Sequence, residues 1–232
     1  MAKEKLDILF EDNHIIAVNK RCGDIVQGDK TGDEPLSEKV KAYIKEKYNK
    51  PGDVFLGVPH RIDRPVSGVI VFAKTSKALT RLSMMFQQKD KEISKLYWAI
   101  VQKCPRLEEE TLTHYLLKNE EKNKSHVYDR LRHGAKEATL EYKLLTRSQN
   151  YFLLEVKLHT GRHHQIRAQL AKIGVPIRGD LKYGAPRSKS GGGIGLHARE
   201  ISFIHPVKQE PVRIVAPVPQ VDNLWKELDK LV

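Results

Sequence analysis

The stretch HRIDRPVSGVIVFA, His60 to Ala73, joins two different readings end to end. Its second half, Val69 to Ala73, is short, apolar and β-branched, as in a strand buried on both faces. Its first half sets one carboxylate, Asp63, between two guanidinium groups, Arg61 and Arg64, on the loop that enters that strand. A carboxylate beside arginines stays ionised, and one braced by a strand can serve as nucleophile, proton acceptor or electrostatic stabiliser. The second arginine can then seek a phosphate or another anion. Taken alone, an aspartate beside arginines is more often a purely structural clamp that fixes its loop.

Outward from this strand the chain alternates β-like and helical material. Ile8–Phe10 and His14–Val18 flank the acidic turn Glu11–Asn13 and predict an opening hairpin. From Ser37, the spacing of Val40, Tyr43, Ile44, Lys47 and Tyr48 predicts an amphipathic helix stopped by Pro51 and Gly52. Beyond the strand, Leu79, Leu82 and Phe86 recur at helical intervals behind a possible cap, Thr75 or Ser76. Leu96–Val101 reads as a strand, and Ala138–Leu145 with Tyr151–Leu158 as a hairpin around Ser148-Gln149-Asn150. His163–Ile173 reads as a helix ended by Gly174, Leu196–Ile204 as a strand, and Asp222 onward as a helix with Leu224, Trp225, Leu228 and Leu231 on one face. The segment RSKSGGGIG, Arg187–Gly195, is too rich in Gly, Ser and charge to pack and reads as a mobile loop. The sum is an α+β fold: a mixed, largely antiparallel central sheet flanked by helices, in a single domain over residues 1–232.

Composition narrows the partners. The 232 residues are 40% hydrophobic and 30% charged, which suits a folded globular chain and excludes fibrous or disordered classes. A formal charge of +12 attracts polyanions over a broad surface, nucleic acid first among them, although a generally basic enzyme would look the same. The two cysteines, Cys22 and Cys104, suggest neither a disulfide framework nor a metal site. No apolar run reaches membrane-spanning length and the first residues lack a secretory core, so a cytoplasmic protein without membrane contact is expected. His159, His163 and His164 lack the cysteine or carboxylate companions of a zinc site; His163 and His164 instead suit capping, internal hydrogen bonds or RNA contact. GGGIG, Gly191–Gly195, lacks the Lys-Ser/Thr ending of a phosphate-binding loop.

Three separated segments carry the polar groups a cofactor-free site would need: Asp63 in HRIDR, Tyr97 in KLYWA and Arg167 in TGRHHQIRAQ. Their order and separations resemble those of the RluA-type pseudouridine synthases, whose pattern approximates HRLDRxTSG, KxYxA and GRxHQIR. The likeness continues through ILFEDNHIIAVNK, GDLKYG at Gly179–Gly184, LHAREISFIHP and APVP, covering nearly the whole chain. It departs from the family at NKRCG for the usual NKPxG, at Val66 for a threonine and at Gln169 for a histidine, and the expectation is a compact member without an N-terminal S4-like module.

The resemblance implies a pseudouridine synthase-like catalytic fold and the isomerisation of uridine to pseudouridine in structured RNA. Ribosomal RNA is the first expectation and transfer RNA the second, with no metal or cofactor and with a monomeric enzyme. Asp63 would attack the ribose C1′ or take the 2′ proton, Tyr97 would stack on the target base, and Arg167 would hold Asp63 ionised. Arg61, Arg64, His164 and Ile166 would bind substrate: Arg61 by displacing or holding RNA around an extruded nucleotide, Ile166 as a pocket wall. Two other classes stay open, a catalytically silent RNA-binding module on the same scaffold and a carboxylate-dependent nuclease or glycosidase. The last would need a metal set or a second catalytic carboxylate that the sequence does not offer.

Overall fold

In the computed structural model, residues 6–28, 32–87, 93–188, 193–220 and 222–232 are described. The chain forms two compact units, Met1–Ile93 with Arg199–Pro217, and Ser94–Ala198 with Val218–Val232.

In the first unit the expected hairpin forms from β1 (Ile8–Glu11) and β2 (Ile15–Lys20). Asp12 makes its turn, since Oδ1 accepts the backbone N–H of His14 at 2.8 Å and of Ile15 at 2.9 Å. After α1 (Leu36–Lys47), the stretch that opened the sequence reading becomes β3 (Ser67–Ala73), buried at every residue. β3 runs antiparallel to β2 in a register that sets Ile15 opposite Ala73 and Lys20 opposite Gly68. Alternation then sends Ile16, Val18, Ile70 and Phe72 to one face, where they pack with Leu36, Val40 and Ile44 of α1. α2 (Ser76–Gln87) follows; Thr75 caps it by accepting the Ala78 N–H at 3.2 Å.

The second unit is an antiparallel ladder. β4 (Ile93–Val101), β5 (Glu109–Asn119), β6 (Lys124–Tyr128), β7 (Lys136–Arg147) and β8 (Phe152–Leu158) lie in the order β4-β8-β7-β5-β6. α3 (Gln165–Lys172) leaves β8 through Thr160–His164. Its Gln169, fully buried, donates to the carbonyls of Leu112 at 3.2 Å and Ala138 at 3.1 Å, tying the helix to β5 and β7. β9 (Leu196–Ile204) starts in the second unit and ends in the first, where it pairs antiparallel with β10 (Pro211–Val215). α4 (Asn223–Asp229) is capped by Asp222 and buries Trp225 and Leu228 against Trp98, Ile100 and Leu153.

The α+β expectation therefore holds, with a mixed, mostly antiparallel sheet order and four α-helices among the described residues. Two details differ. α3 begins at Gln165, two residues late, because His164 adopts the left-handed conformation at φ 53°. Leu231 falls past the end of α4 and is 58% exposed, so it contributes nothing to the apolar face assigned to it. Of the loop expected at Arg187–Gly195, residues 189–192 lie outside the described residues.

Candidate active-site residues

Asp63 sits half-buried on the loop before β3, between exposed Arg61 and Arg64. The loop is held from three sides. His60 Nε2 accepts the Val71 N–H at 2.9 Å while its ring stacks on Phe86, with centroids 4.2 Å apart. The Val66 N–H closes a turn on the Asp63 carbonyl at 3.0 Å, and the Gly23 N–H reaches the Arg64 carbonyl at 2.9 Å. The third hold is Lys20, the last residue of β2, which the strand register delivers beneath the loop. Its three ammonium protons meet three carbonyls, those of Arg21 at 2.9 Å, Arg64 at 3.1 Å and Val66 at 2.7 Å. Lys20 is 1% exposed. Burial draws its pKa down to about 8, partly offset by the charges of Asp24 and Asp63.

Arg64 carries a protein partner that the sequence did not suggest: its guanidinium lies 2.6 Å from the Asp33 carboxylate, with both side chains about half exposed. Such an exposed pair contributes little to stability.

The second unit holds the remaining candidates. Tyr97 lies half-buried on β4 opposite Val156. His164, Ile166 and Arg167 share one short segment and are all buried. The carboxylate of Asp180, itself 1% exposed, takes Arg167 in a bidentate grip, accepting from Nε at 2.7 Å and Nη2 at 2.9 Å. The Arg167 guanidinium also lies 5.2 Å from the centre of the Tyr183 ring. Asp180 and Tyr183 bracket the 3-10 turn Leu181–Tyr183 of GDLKYG. Gly179 opens that motif at φ 75°, and a Cβ there would press on Ser188 and on the Gly193 carbonyl.

His164 is the most perturbed candidate. Burial, then the nearby Arg167 and His163, push its pKa down to about 2, so the ring is neutral. The Tyr183 hydroxyl lies 3.0 Å from its Nδ1. Among the described residues no group of three or more His, Cys, Asp or Glu is arranged to hold a metal ion.

The structure thus gathers His164, Ile166 and Arg167 with Asp180 and Tyr183 in the second unit, while Arg61, Asp63 and Arg64 stand together in the first. Sequence reasoning missed the partners: Lys20, Asp180 and Tyr183. NKRCG and GDLKYG were visible as strings, but nothing in their local spacing ties residue 20 to residue 64, or residue 180 to residue 167.

A family model described as RNA pseudouridylate synthase matches residues 14–172, a span that contains Asp63, Tyr97 and Arg167. The chain belongs to this family. Among its relatives, an RNA pseudouridine synthase of Synechocystis termed uncharacterized is 34% identical over 92% of this chain and 66% of its own. The ribosomal large subunit pseudouridine synthase D of Xylella fastidiosa is 34% identical over 93% of this chain, again 66% of its own. The chain therefore spans just under two thirds of these two relatives. The tRNA pseudouridine synthase C of Vibrio vulnificus is 32% identical over 96% of this chain and 94% of its own. A solved structure, human RNA pseudouridylate synthase domain containing 4, shares the fold at a TM-score of 0.76 and 23% identity, covering 92% of this chain and 89% of the other.

Proposed function

We propose that this protein isomerises uridine to pseudouridine at chosen sites in structured RNA, ribosomal RNA first. The observation that carries the reading is the family match over residues 14–172, which takes in all three motif residues in family order. Within it, Asp63 is the reacting carboxylate, at C1′ or at the 2′ proton, and Tyr97 stacks on the base. Arg167 is the catalytic arginine of the third motif; Ile166 walls the base, and His164, Arg61 and Arg64 contact the nucleotide and its phosphates.

The reaction breaks the N1–C1′ bond, turns the uracil and forms a C5–C1′ bond; the proton lost from C5 is balanced by one gained at N1. Nothing is oxidised or reduced, so no redox cofactor enters. Charge develops on sugar and base as the first bond breaks, and preorganised groups in a water-poor site lower that barrier. The positive surface draws the RNA, and extrusion of the target nucleotide exposes its glycosidic bond. One catalytic domain working as a cytoplasmic monomer belongs to the same reading. Transfer RNA is the second substrate, favoured by the near full-length coverage of the Vibrio relative.

The test compares wild type with Asp63→Asn on uridine-labelled cellular RNA, mapping pseudouridine at nucleotide resolution. The variant is expected to bind RNA normally and lose all modification. Equal modification by both would falsify the role of Asp63, and chain cleavage or uracil release would favour a hydrolytic enzyme. Modification unchanged in cells lacking the gene would remove the RNA target altogether.

A further inference from the structure

The link from β6 to β7, Asp129 to Ala135, has to cross β5, because the sheet order sets β5 between the two strands it joins. It is pinned at both ends. At its start the Lys172 ammonium of α3 donates to the Asp129 carboxylate at 2.9 Å, and His114 Nε2 of β5 lies 3.8 Å from the other carboxylate oxygen. At its end the Ala135 N–H closes a turn on the Arg132 carbonyl at 3.0 Å. Gly134, at φ 77°, comes so close to β5 that a Cβ there would stand 3.3 Å from Leu117. Between these holds Arg130, Leu131 and Arg132 stand in solvent. Leu131 is 69% exposed, more than any other large apolar side chain among the described residues. The Arg132 guanidinium lies over the Tyr128 ring, 4.4 Å from its centre, a stacking that steadies the cation and leaves its N–H edge facing outward.

We propose that Arg130-Leu131-Arg132 is a docking tip for the sugar–phosphate backbone of structured RNA, with the guanidiniums on phosphates and Leu131 against the sugars between them. That the polyanion is RNA rests on the pseudouridine synthase reading; the tip itself rests on the geometry of the loop. A single exposed leucine is ordinary on a protein surface, but this one is held out on a pinned loop between two arginines. The loop's one carboxylate, Asp129, is already engaged by Lys172, so the tip presents positive charge around an apolar point. Such a surface disfavours a basic partner and suits a chain in which phosphates alternate with less polar sugars. The shallow groove of a paired RNA stem displays that alternation.

Position supports the assignment. Lys172, which anchors the loop, is the last residue of α3, whereas Ile166 and Arg167 lie in its first turn. The rise from Ile166 to Lys172 is about 9 Å, so the loop is rooted at the end of the helix remote from the candidate site residues. A ligand that engages both ends of α3 is several nucleotides long rather than a single base.

The experiment measures affinity of the full chain for a synthetic RNA hairpin from about 50 to 200 mM salt, then pseudouridine formation on cellular RNA. Arg130→Ala combined with Arg132→Ala should weaken hairpin binding about tenfold at the lower salt and reduce the slope of log affinity against log salt by about 1–2. Leu131→Ser should weaken it about fivefold with the slope unchanged, since an apolar contact releases no counterion. Lys45→Ala combined with Lys50→Ala removes the same charge from exposed positions on and after α1, and should change affinity less than about twofold. Melting temperatures should stay at the wild-type value in all three. On cellular RNA the tip variants should lose rate when RNA is limiting and regain it at saturation, as expected of binding shared by ground and transition states. An equal loss in the Lys45 and Lys50 variant would assign the effect to diffuse charge and overturn the tip. So would Leu131→Ser binding as wild type, a lowered melting temperature accompanying the loss, or a rate that stays low at saturation. Hairpin binding unchanged in both tip variants would overturn it as well and turn attention to an acidic protein surface as the partner. A wild type that binds RNA through the tip yet forms no pseudouridine would sink the isomerase reading and leave the docking tip standing.

Discussion

Lys20 joins the end of one strand to the loop that carries Asp63, and its cost and value are both large. Burying an ammonium is unfavourable, and the three carbonyls that receive its protons offset that penalty. Lys20→Met leaves three buried acceptors without a donor and should lower stability by about 3 kcal/mol or more in urea unfolding. The pH dependence has a definite sign. Because the folded pKa is about 8 against the ordinary lysine value of 10.5, the unfolded chain binds more protons between those limits. Wild-type stability relative to Lys20→Met should therefore rise as pH increases from 8 to 10.5, and a fall across that window would contradict the assignment.

At the scale of elements, two joints are specific. Gly57 forms an isolated bridge with Ala73, and a Cβ there would stand 2.7 Å from both terminal carbons of Leu79 on α2. Gly57→Ala should cost about 1–3 kcal/mol, and adding Leu79→Ala should recover part of it in a double-mutant cycle. Strict additivity would show that helix and strand do not meet so closely. The second joint is Glu11 at the end of β1, which receives Tyr43, Lys47 and Tyr48 from α1 and its C-cap, and Lys74 from the end of β3. Burial pushes its carboxyl up, but those hydrogen bonds outweigh it and bring the pKa from 4.5 to about 2. The stabilisation is complete above 4.5 and lost as pH falls through about 2. The stability gap between wild type and Glu11→Gln should accordingly shrink on acidification from about pH 7 to pH 3.

For the molecule as a whole, +12 of formal charge should make affinity for the proposed RNA substrate depend on salt. A plot of log affinity against log salt should be linear and steep, with a loss of at least about tenfold between about 50 and 200 mM. The same slope in Asp63→Asn would assign the charge term to the surface and leave the chemistry to the carboxylate; a flat plot would argue against phosphate contacts.

How much was legible follows from the range of each interaction. Local patterns foretold the opening hairpin, α1, the buried strand β3, the β7–β8 hairpin and the strand Leu196–Ile204, because periodicity and turn chemistry act within a few residues. Asp63, Tyr97 and Arg167 stood out by motif, since chemistry demands particular side chains. Their supports did not: Lys20 reaches Val66 across 46 positions, Ser125 reaches Tyr183 across 58, and Arg167 finds Asp180 only when a 3-10 turn folds back. The start of α3 also escaped, because the left-handed turn at His164 runs against local preference and is upheld by contacts from β6 and the 3-10 turn. Sequence alone singled out the candidate groups, because motifs are local; strand register and long-range hydrogen bonds decided which of them are held and by whom.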